Sequence, residues 1–199
     1  MTTYSQLEQD KSVLAHYQFK RNGYFIEVGA NDGISFSNTY LLEKDYGWTG
    51  ICVEPLPDKF EQMVKRRPES ICVQKAVFSQ SDLILDFTVA NMFSGLVDFI
   101  DCHREGRVSN KIKVTTITMD DLLKQCHAPN FIEYLSIDTE GTELEVLKSI
   151  DHSTYKFGII HLEHNGVEPR RTDMRKLLES KGYKYSRENR WDDEYVLIQ

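Results

Sequence analysis

Cysteines and long apolar segments are both scarce in this sequence. The four cysteines form no C-x-x-C pair and no metal-ligand spacing, so we expect neither a disulfide framework nor a zinc site. No window approaches the roughly eighteen apolar residues that span a bilayer. Residues 1–20 also lack the apolar core of a signal peptide. These absences predict a cytoplasmic protein in a reducing compartment, without a membrane partner.

Positive charge is in deficit as well. The chain carries 24 Lys and Arg residues against 31 Asp and Glu residues, which gives a formal net charge of −7. Non-specific binding to nucleic acid is therefore not expected as the main role, because it depends on positive charge that displaces counterions. With 199 residues, 40% of them hydrophobic, the chain is long enough for one soluble domain, which we place at 1–199.

Short apolar runs alternate with helical patterns along most of the chain. The predicted strands are Tyr24–Val28, Gly50–Val53, Ser70–Val77, Tyr134–Ile137 and Gly158–Leu162. The predicted helices lie within 1–20 and at 37–46, 57–66, 118–126, 142–149 and 170–181, and Thr142 to Glu145 reads as a capping box. Such alternation is typical of an α/β fold, with a parallel sheet covered by helices on both faces.

Two regions depart from this alternation. At the end of the chain, Tyr183–Arg187 and Glu194–Ile198 predict a hairpin, which makes the last strand antiparallel to the rest of the sheet. In the middle, residues 83–117 contain two alternating segments, LILDFTV and KIKVTTI, that predict strands. We interpret 83–117 as an insertion, and its segment 91–110 as a lid over the substrate.

The segment FIEVGANDGISFSNT predicts a strand that ends in a tight turn before a helix. In an open parallel sheet, such a turn is where a ligand binds. A nucleoside triphosphate requires G-K-[ST] at the end of the loop, but Gly33 is followed by Ile34. A dinucleotide requires G-x-G-x-x-G, and Asp32 beside a pyrophosphate has the wrong charge. Acidic residues such as Glu27 and Asp32 suit the sulfonium and ammonium groups of S-adenosylmethionine.

Glu54 ends the second predicted strand, in the segment ICVEP. A carboxylate at this position can accept hydrogen bonds from both hydroxyls of an adenosyl ribose. NAD sites also use an acid here, so Glu54 predicts an adenosyl ribose and the chemistry of the glycine turn decides between the two cofactors.

The order of these segments resembles the FkbM family of S-adenosylmethionine-dependent methyltransferases. The resemblance covers roughly residues 23–165 and rests on EVGANDG, SFSNT, VEP, AVF, TITMDDLL and SIDTEGTELEVLKSI. It implies the Rossmann-like class I methyltransferase fold, with a seven-stranded, mostly parallel sheet and an antiparallel last strand.

The resemblance also implies a set of cofactor-binding residues. Those near the methionine moiety are Glu27, Gly29, Asn31 and Gly33; Ala30 and Asp32 of the same turn are also expected to bind the cofactor, and Asn38 follows early in the first helix. Glu54, followed by Pro55, is expected at the ribose, and Ala76 and Val77 near the adenine. Asp138 ends the fourth strand and is expected beside the cofactor.

The acids and histidines at the ends of the fourth and fifth strands are the candidate catalytic residues. Asp138 and Glu163 form the preferred pair, with Glu140 close to Asp138 in the sequence. Either acid could remove a proton from an acceptor hydroxyl, and His161 or His164 is the alternative base. The N-P-P-[YF] motif of many N-methyltransferases is absent, which together with the family resemblance favours oxygen as the acceptor atom.

A divalent cation is a second arrangement for the same residues. Asp138, Glu140 and Glu163 with a histidine could hold Mg²⁺ or Mn²⁺, which would orient and acidify a hydroxyl. We assign no metal ligands, because HLEH lies on a predicted strand and lacks the spacing of a zinc site on a helix.

The nature of the acceptor stays open at this stage. Basic residues stand out in the otherwise acidic chain, within the predicted lid and elsewhere: Lys65, Arg66, Arg67, Arg104, Arg107, Lys111, Arg170, Arg171 and Arg175. They would suit a phosphorylated or nucleotide-linked sugar, or RNA. We expect O-methylation of a small-molecule hydroxyl, with an RNA methyltransferase or a nicotinamide-dependent oxidoreductase as alternatives.

Overall fold

The structure, a computed structural model, describes residues 2–90, 94–99 and 110–198. The helices are α1 (Gln9–His16), α2 (Tyr40–Tyr46), α3 (Pro57–Arg66), α4 (Met119–Gln125), α5 (Glu143–Lys148) and α6 (Arg170–Ser180). The strands are β1 (Tyr24–Val28), β2 (Thr49–Val53), β3 (Ile71–Val73), β4 (Ala76–Val77), β5 (Ile84–Val89), β6 (Gly95–Leu96), β7 (Asn110–Ile117), β8 (Phe131–Ile137), β9 (Lys156–Glu163), β10 (Tyr183–Asn189) and β11 (Asp192–Leu197).

Seven strands form the main sheet, in the order β10-β11-β9-β8-β1-β2-β3. All pairs from β9 to β3 are parallel, whereas β11 runs antiparallel to both β9 and β10. The predicted closing hairpin is therefore confirmed, and its strands are joined by a two-residue turn at Arg190 and Trp191. Because β1, β2, β8 and β9 are parallel, their carboxyl ends meet along one edge of the sheet.

Helices cover both faces of this sheet, as predicted. Helices α1, α2 and α3 contribute Val13, Leu41 and Met63 to one buried cluster. The other three helices bury residues such as Leu122 and Val146 in a second cluster on the opposite face. The strands supply both clusters because successive side chains alternate between the faces of a sheet.

The predicted third strand, Ser70–Val77, is wrong as a single element. It divides into β3, which pairs with β2 in the main sheet, and β4, which pairs with β7. The strands β4, β7, β5 and β6 form a separate four-stranded sheet with its own apolar cluster around Phe87 and Leu96. The strand-rich character predicted for 83–117 is thus confirmed at β5 and β7. The predicted lid residues Met92, Phe93, Arg104 and Arg107 lie outside the described residues.

Two local predictions require correction. Helix α1 is shorter than the predicted segment, since Leu7 precedes it and Tyr17 follows its last residue. The capping box at α5 does not form, because the Thr142 side chain makes no capping hydrogen bond. Instead, Glu143 Oε1 accepts hydrogen bonds from the backbone N–H groups of Thr139 and Gly141, and so holds the turn after β8.

A buried cluster of charged groups fixes the segment that follows the glycine turn. The Arg67 guanidinium is fully buried and pairs with Glu43 at 2.8 Å and with Glu27 at 3.4 Å. It also donates hydrogen bonds to the Gly33 carbonyl and to the Thr39 hydroxyl. Arg67 therefore connects the end of α3 to β1, α2 and the segment between them.

Replacing Arg67 with alanine would leave two carboxylates buried without their cation. We expect Arg67→Ala to lower the free energy of unfolding by about 3–5 kcal/mol, measured by urea denaturation. Arg66→Ala is the matched control, because Arg66 is partly exposed and pairs with Asp32 at 2.7 Å near the surface. The control should lose no more than about 1 kcal/mol. Equal losses in the two variants would contradict this account of the buried cluster.

Candidate active site

A cavity of about 350 Å³ lies at the carboxyl edge of the main sheet. The turns after β1, β2, β8 and β9 form much of its wall, and the small sheet contributes Phe87 and Leu96. Ten of the predicted site residues line this cavity: Gly29, Ala30, Asn31, Glu54, Pro55, Ala76, Val77, Asp138, Glu140 and Glu163. The volume falls within the range typical of small-molecule and cofactor sites.

The glycine turn is shaped by close contact between neighbouring strands. The backbone N–H groups of Gly29 and Ala30 both donate to the Val53 carbonyl at 3.0 Å. A Cβ atom on Gly29 would lie 1.9 Å from the Asp138 carbonyl oxygen, and the residue has φ of +88°. Only glycine meets both conditions without strain. The turn therefore brings its backbone close to the end of β8, where Asp138 stands.

Glu54 joins the first two turns of the cavity. Its Oε2 accepts the backbone N–H of Asn31, and its Oε1 accepts that of Leu56, both at 2.9 Å. Burial raises the pKa of this carboxyl to about 7, although the two backbone hydrogen bonds partly oppose the shift. Each carboxylate oxygen keeps one lone pair for a further donor, so Glu54 can accept both hydroxyls of a ribose.

Three acids gather at the ends of β8 and β9. Asp138, Glu140 and Glu163 each have an oxygen within 4.8 Å of the others, and all three line the cavity. Asp138 is exposed, whereas Glu140 and Glu163 are buried. The turn that carries Glu140 is held from behind by Glu143, whose second oxygen lies 3.6 Å from Arg170. Two separate strand ends thus converge as the sequence predicts.

Four predicted cofactor residues lie outside the cavity lining. Glu27 accepts hydrogen bonds from the Ser37 hydroxyl and the Asn38 backbone within the Arg67 cluster. The Asn38 amide donates to Ser136 at 2.9 Å. Gly33, with φ of +85°, packs against the Arg67 side chain. Glu27, Asp32, Gly33 and Asn38 therefore support the turn from behind, and their assignment to the cofactor stays a prediction.

Asp32 shows how this support works. Its carboxylate accepts the backbone N–H groups of Ile34 and Ser35 and pairs with Arg66. Burial raises the pKa of this carboxyl, but the hydrogen bonds and the arginine outweigh burial and lower it to about 2. Asp32 is therefore ionised at neutral pH and caps the segment after the turn.

The two histidines predicted as alternative bases have partners outside the cavity lining. The His161 ring lies 2.9 Å from both the Tyr134 hydroxyl and the Glu194 carboxylate, so both ring nitrogens have partners away from the cavity. His164 Nδ1 accepts the backbone N–H of Gly166, and its Nε2 lies 3.6 Å from Asp193. Neither imidazole lines the cavity. Among the described residues, the cavity lining thus contains carboxylates but no imidazole.

The basic residues outside the predicted lid are mostly engaged with internal acids. Arg67 is buried as described, and Arg66 pairs with Asp32. In α6, Arg171 and Arg175 pair with Asp193 at 2.7 and 3.4 Å. The sequence shows charge but not its partners, which explains why these residues resemble a recognition surface when read alone.

Several residues line the cavity without having been predicted there. They include Gln6, Ser35, Phe36, Ser37, Lys75, Phe87, Ser94, Thr139, Thr142, Asn165 and Trp191. Phe36 and Ser37 stand within SFSNT, and Trp191 stands in the final hairpin turn. The sequence does contain a signal for Phe36 at the cavity. This aromatic residue lies between two serines directly after the predicted ligand-binding turn, where neither helical nor strand periodicity explains it.

The fold and this cavity together define a class of protein. The structure has the Rossmann-like class I fold of S-adenosylmethionine-dependent methyltransferases, with the expected seven-stranded, mostly parallel sheet and antiparallel last strand. The model of the Methyltransferase FkbM domain matches residues 27–185. The chain belongs to the FkbM methyltransferase family. A search of curated protein sequences finds no significant match.

Two solved structures illustrate the similarity of fold. Methyltransferase FkbM from Methylobacillus flagellatus KT superposes with a TM-score of 0.54 at 14% identity, over 88% of this chain and 43% of that one. The N-terminal domain of human METTL16 in complex with SAH gives a TM-score of 0.50 at 11% identity, over 96% of this chain and 68% of that one. This chain thus spans less than half of the Methylobacillus protein.

No helix in the described ranges combines the length and the apolar character that crossing a membrane requires.

The raised pKa of Glu54 predicts how stability depends on pH. Because the folded-state pKa lies above the unfolded value, the folded protein binds more protons between about pH 4.5 and 7. Its stability should therefore fall as pH rises through this window, by on the order of 3 kcal/mol. Glu54→Gln removes this loss, so urea denaturation should show the variant gaining stability relative to the wild type from pH 5 to pH 8.

Asp32→Asn is the control for this experiment. The pKa of Asp32 is lowered, so its contribution is complete above about pH 4 and constant between pH 5 and 8. The stability difference between this variant and the wild type should not change across that range. A difference for Glu54→Gln that is equally independent of pH would show that the Glu54 pKa is not raised.

Proposed function

We propose that this chain is an S-adenosylmethionine-dependent methyltransferase that methylates a hydroxyl group of a small-molecule acceptor, such as a sugar or a nucleotide-linked sugar. The observation that carries the proposal is the position of two acidic features in one cavity. Glu54, which we assign to the ribose, lines the same cavity as the acid cluster of Asp138, Glu140 and Glu163 at the ends of β8 and β9.

The residues around Glu54 fit the adenosyl part of the cofactor. The remaining lone pairs of Glu54 suit the two ribose hydroxyls, and the apolar side chains of Ala76 and Val77 suit one face of the adenine. The backbone of Gly29, Ala30 and Asn31 borders the space left for the methionine moiety. When bound, the cofactor supplies an electrophilic methyl group.

The charge of the cavity favours a cationic ligand over a pyrophosphate. Its described lining contains four carboxylates, at Glu54, Asp138, Glu140 and Glu163, and one basic side chain, at Lys75. A sulfonium and an ammonium group gain from this environment, whereas the two phosphates of a nicotinamide dinucleotide would be repelled. The same imbalance argues against the oxidoreductase alternative.

The acid cluster supplies what methyl transfer to a hydroxyl requires. The protein must hold the hydroxyl oxygen in line with the methyl group and accept its proton. We assign the proton acceptor to the preferred pair, Asp138 and Glu163, with Glu140 adjacent. Because Glu163 is buried, less water competes with the substrate hydroxyl for its carboxylate. Asp138 is exposed and can be reached by the entering substrate.

The same cluster would suit a divalent cation, since carboxylate oxygens are the ligands that Mg²⁺ and Mn²⁺ prefer. The two arrangements differ in their response to chelation. A reaction that uses a carboxylate alone continues in EDTA, whereas a cation-dependent reaction stops and is restored by Mg²⁺ or Mn²⁺. Neither histidine of the predicted cation set lies in the cavity lining.

A small-molecule acceptor is better supported than RNA. RNA binding draws on positive charge along a surface, and the clusters at 65–67 and in α6 are largely paired with internal acids. A cytoplasmic location is part of the same proposal, supported by the three described cysteines, Cys52, Cys72 and Cys126, which are all free thiols.

Cofactor binding should depend on pH through Glu54. The ribose hydroxyls donate to the ionised carboxylate, so protonation of Glu54 weakens binding. Calorimetry with S-adenosylhomocysteine should give an affinity about tenfold lower at pH 6 than at pH 8, because the pKa of Glu54 is about 7.

Glu54→Gln is the control in the calorimetric experiment. The variant should bind S-adenosylhomocysteine more weakly than the wild type at pH 8, and its affinity should not change between pH 6 and pH 8 through residue 54. Any pH dependence caused by the amine of the ligand persists in the variant and is thereby separated from that of Glu54. Unchanged affinity in Glu54→Gln would overturn the ribose assignment.

Asp138→Asn and Glu163→Gln test the acid cluster directly. Each should lower kcat by about 10²–10⁴-fold, because an amide cannot accept the proton, and Glu163→Gln should keep its S-adenosylhomocysteine affinity within a few-fold of wild type. The measurement is release of S-adenosylhomocysteine from S-adenosylmethionine with a panel of hydroxyl compounds.

Glu145→Gln is the matched control for the catalytic variants. This carboxylate lies on α5, outside the cavity lining, and pairs with Lys148 at 2.8 Å. Full activity is expected in the control, and also in the wild type when EDTA is present in large excess over trace metal. Wild-type rates in Asp138→Asn and Glu163→Gln would contradict the assignment of these acids as proton acceptors. Loss of wild-type activity in EDTA would instead support the cation-dependent reaction.

A further inference from the structure

Phe36 has an unusual conformation for an aromatic residue at the cavity. Its φ is +61°, in the left-handed region that bulky residues rarely adopt. The side chain is 51% exposed and lines the cavity. Within the described residues it belongs to none of the three apolar clusters. Packing of the core therefore does not account for a strained, exposed phenylalanine here.

The residues on both sides of Phe36 hold it in this conformation. The Ser35 backbone and hydroxyl both donate to the Asp32 carboxylate, at 2.7 and 2.8 Å. The Ser37 hydroxyl donates to Glu27 at 2.9 Å. A β-bridge to Ser5 adds a further restraint. Strain maintained by surrounding contacts is characteristic of functional positions, and here it keeps an aromatic ring at the cavity.

Trp191 brings a second aromatic side chain to the same cavity. Its carbonyl accepts the backbone N–H groups of His164 and Asn165, at 2.7 and 3.3 Å, directly after β9. The hairpin turn is thereby fixed beside Glu163, the last residue of that strand. Trp191 is half-buried and lines the cavity, so its side chain is accessible to a ligand near the acid cluster.

We propose that Phe36 and Trp191 are acceptor-binding residues that select a hydroxylated ring with an apolar face. Aromatic side chains contact such a face, while the nearby carboxylates interact with the hydroxyl groups at its rim. An acyclic polyol offers the same hydroxyls without a face to contact. This inference rests on the proposed function and adds to it the shape of the acceptor.

Phe36→Gly is the most informative variant. Glycine adopts positive φ without strain, so the melting temperature should equal or exceed that of the wild type. Affinity for ring compounds should fall about tenfold or more, since the aromatic contact is lost. Affinity for S-adenosylhomocysteine should not change. Phe36→Tyr should restore ring binding, because it keeps the aromatic face.

Phe19→Gly is the matched control. Phe19 has φ of +59° and is 54% exposed, but it lies outside the cavity lining. It shares the residue type, backbone conformation and exposure of Phe36 and differs in position. The control should therefore match Phe36→Gly in its relief of strain and leave ring binding unchanged.

Ring binding is measured by saturation-transfer NMR at saturating S-adenosylhomocysteine. The panel contains methyl glycosides, phenols and nucleosides as rings, with glycerol and sorbitol as acyclic comparisons. Preferential binding of rings that Phe36→Gly and Trp191→Ala both weaken supports the proposal. It is overturned if Phe36→Gly binds rings as the wild type does, or if no ring compound binds. It is also overturned if Phe36→Gly loses as much affinity for S-adenosylhomocysteine as for ring compounds, because the Phe36 side chain would then be assigned to the cofactor.

Failure of the proposed function would be distinguishable from all these outcomes, because the wild type would then bind no S-adenosylhomocysteine.

Discussion

The hydrogen bonds of Glu54 are the constraint on which the site depends. One carboxylate joins the turns after β1 and β2, because its two oxygens accept the backbone N–H groups of Asn31 and Leu56. This contact fixes the glycine turn and presents the remaining lone pairs of the carboxylate to the cavity. The same burial that positions the group raises its pKa to about 7, so position and charge state are linked.

The acidic residues around the glycine turn and the cavity fall into two sets. Glu27 and Asp32 hold the backbone of the turn and the segment after it, through hydrogen bonds and arginine partners. Glu54, Asp138 and Glu163 line the cavity. Arg67 pairs with Glu27 and Arg66 pairs with Asp32, so both carboxylates behind the turn have an arginine partner. Glu27 and Asp32 bind the two serines on either side of Phe36, and the strained Phe36 lines the cavity together with the second set.

Much of the fold follows from local patterns, and the site follows in part. Apolar runs such as Tyr24–Val28 and the proline at the start of α3 mark elements whose bounds the structure matches. Strand order places Glu54, Asp138 and Glu163 at one edge, so topology alone brings them together. What local patterns do not encode is which partner a polar group finds across the chain. The pairing of His161 with Glu194 and of Arg67 with Glu27 depends on contacts between residues distant in sequence.

The central claim is that the cavity holds an adenosyl cofactor through Glu54, with its reactive end toward the acid cluster. A crystal structure of the protein soaked with S-adenosylhomocysteine tests this most directly. The account predicts both ribose hydroxyls within hydrogen-bonding distance of the Glu54 carboxylate, with the sulfur atom facing Asp138 and Glu163. Density for the ribose at any other carboxylate, or a sulfur atom directed away from β8 and β9, would contradict it.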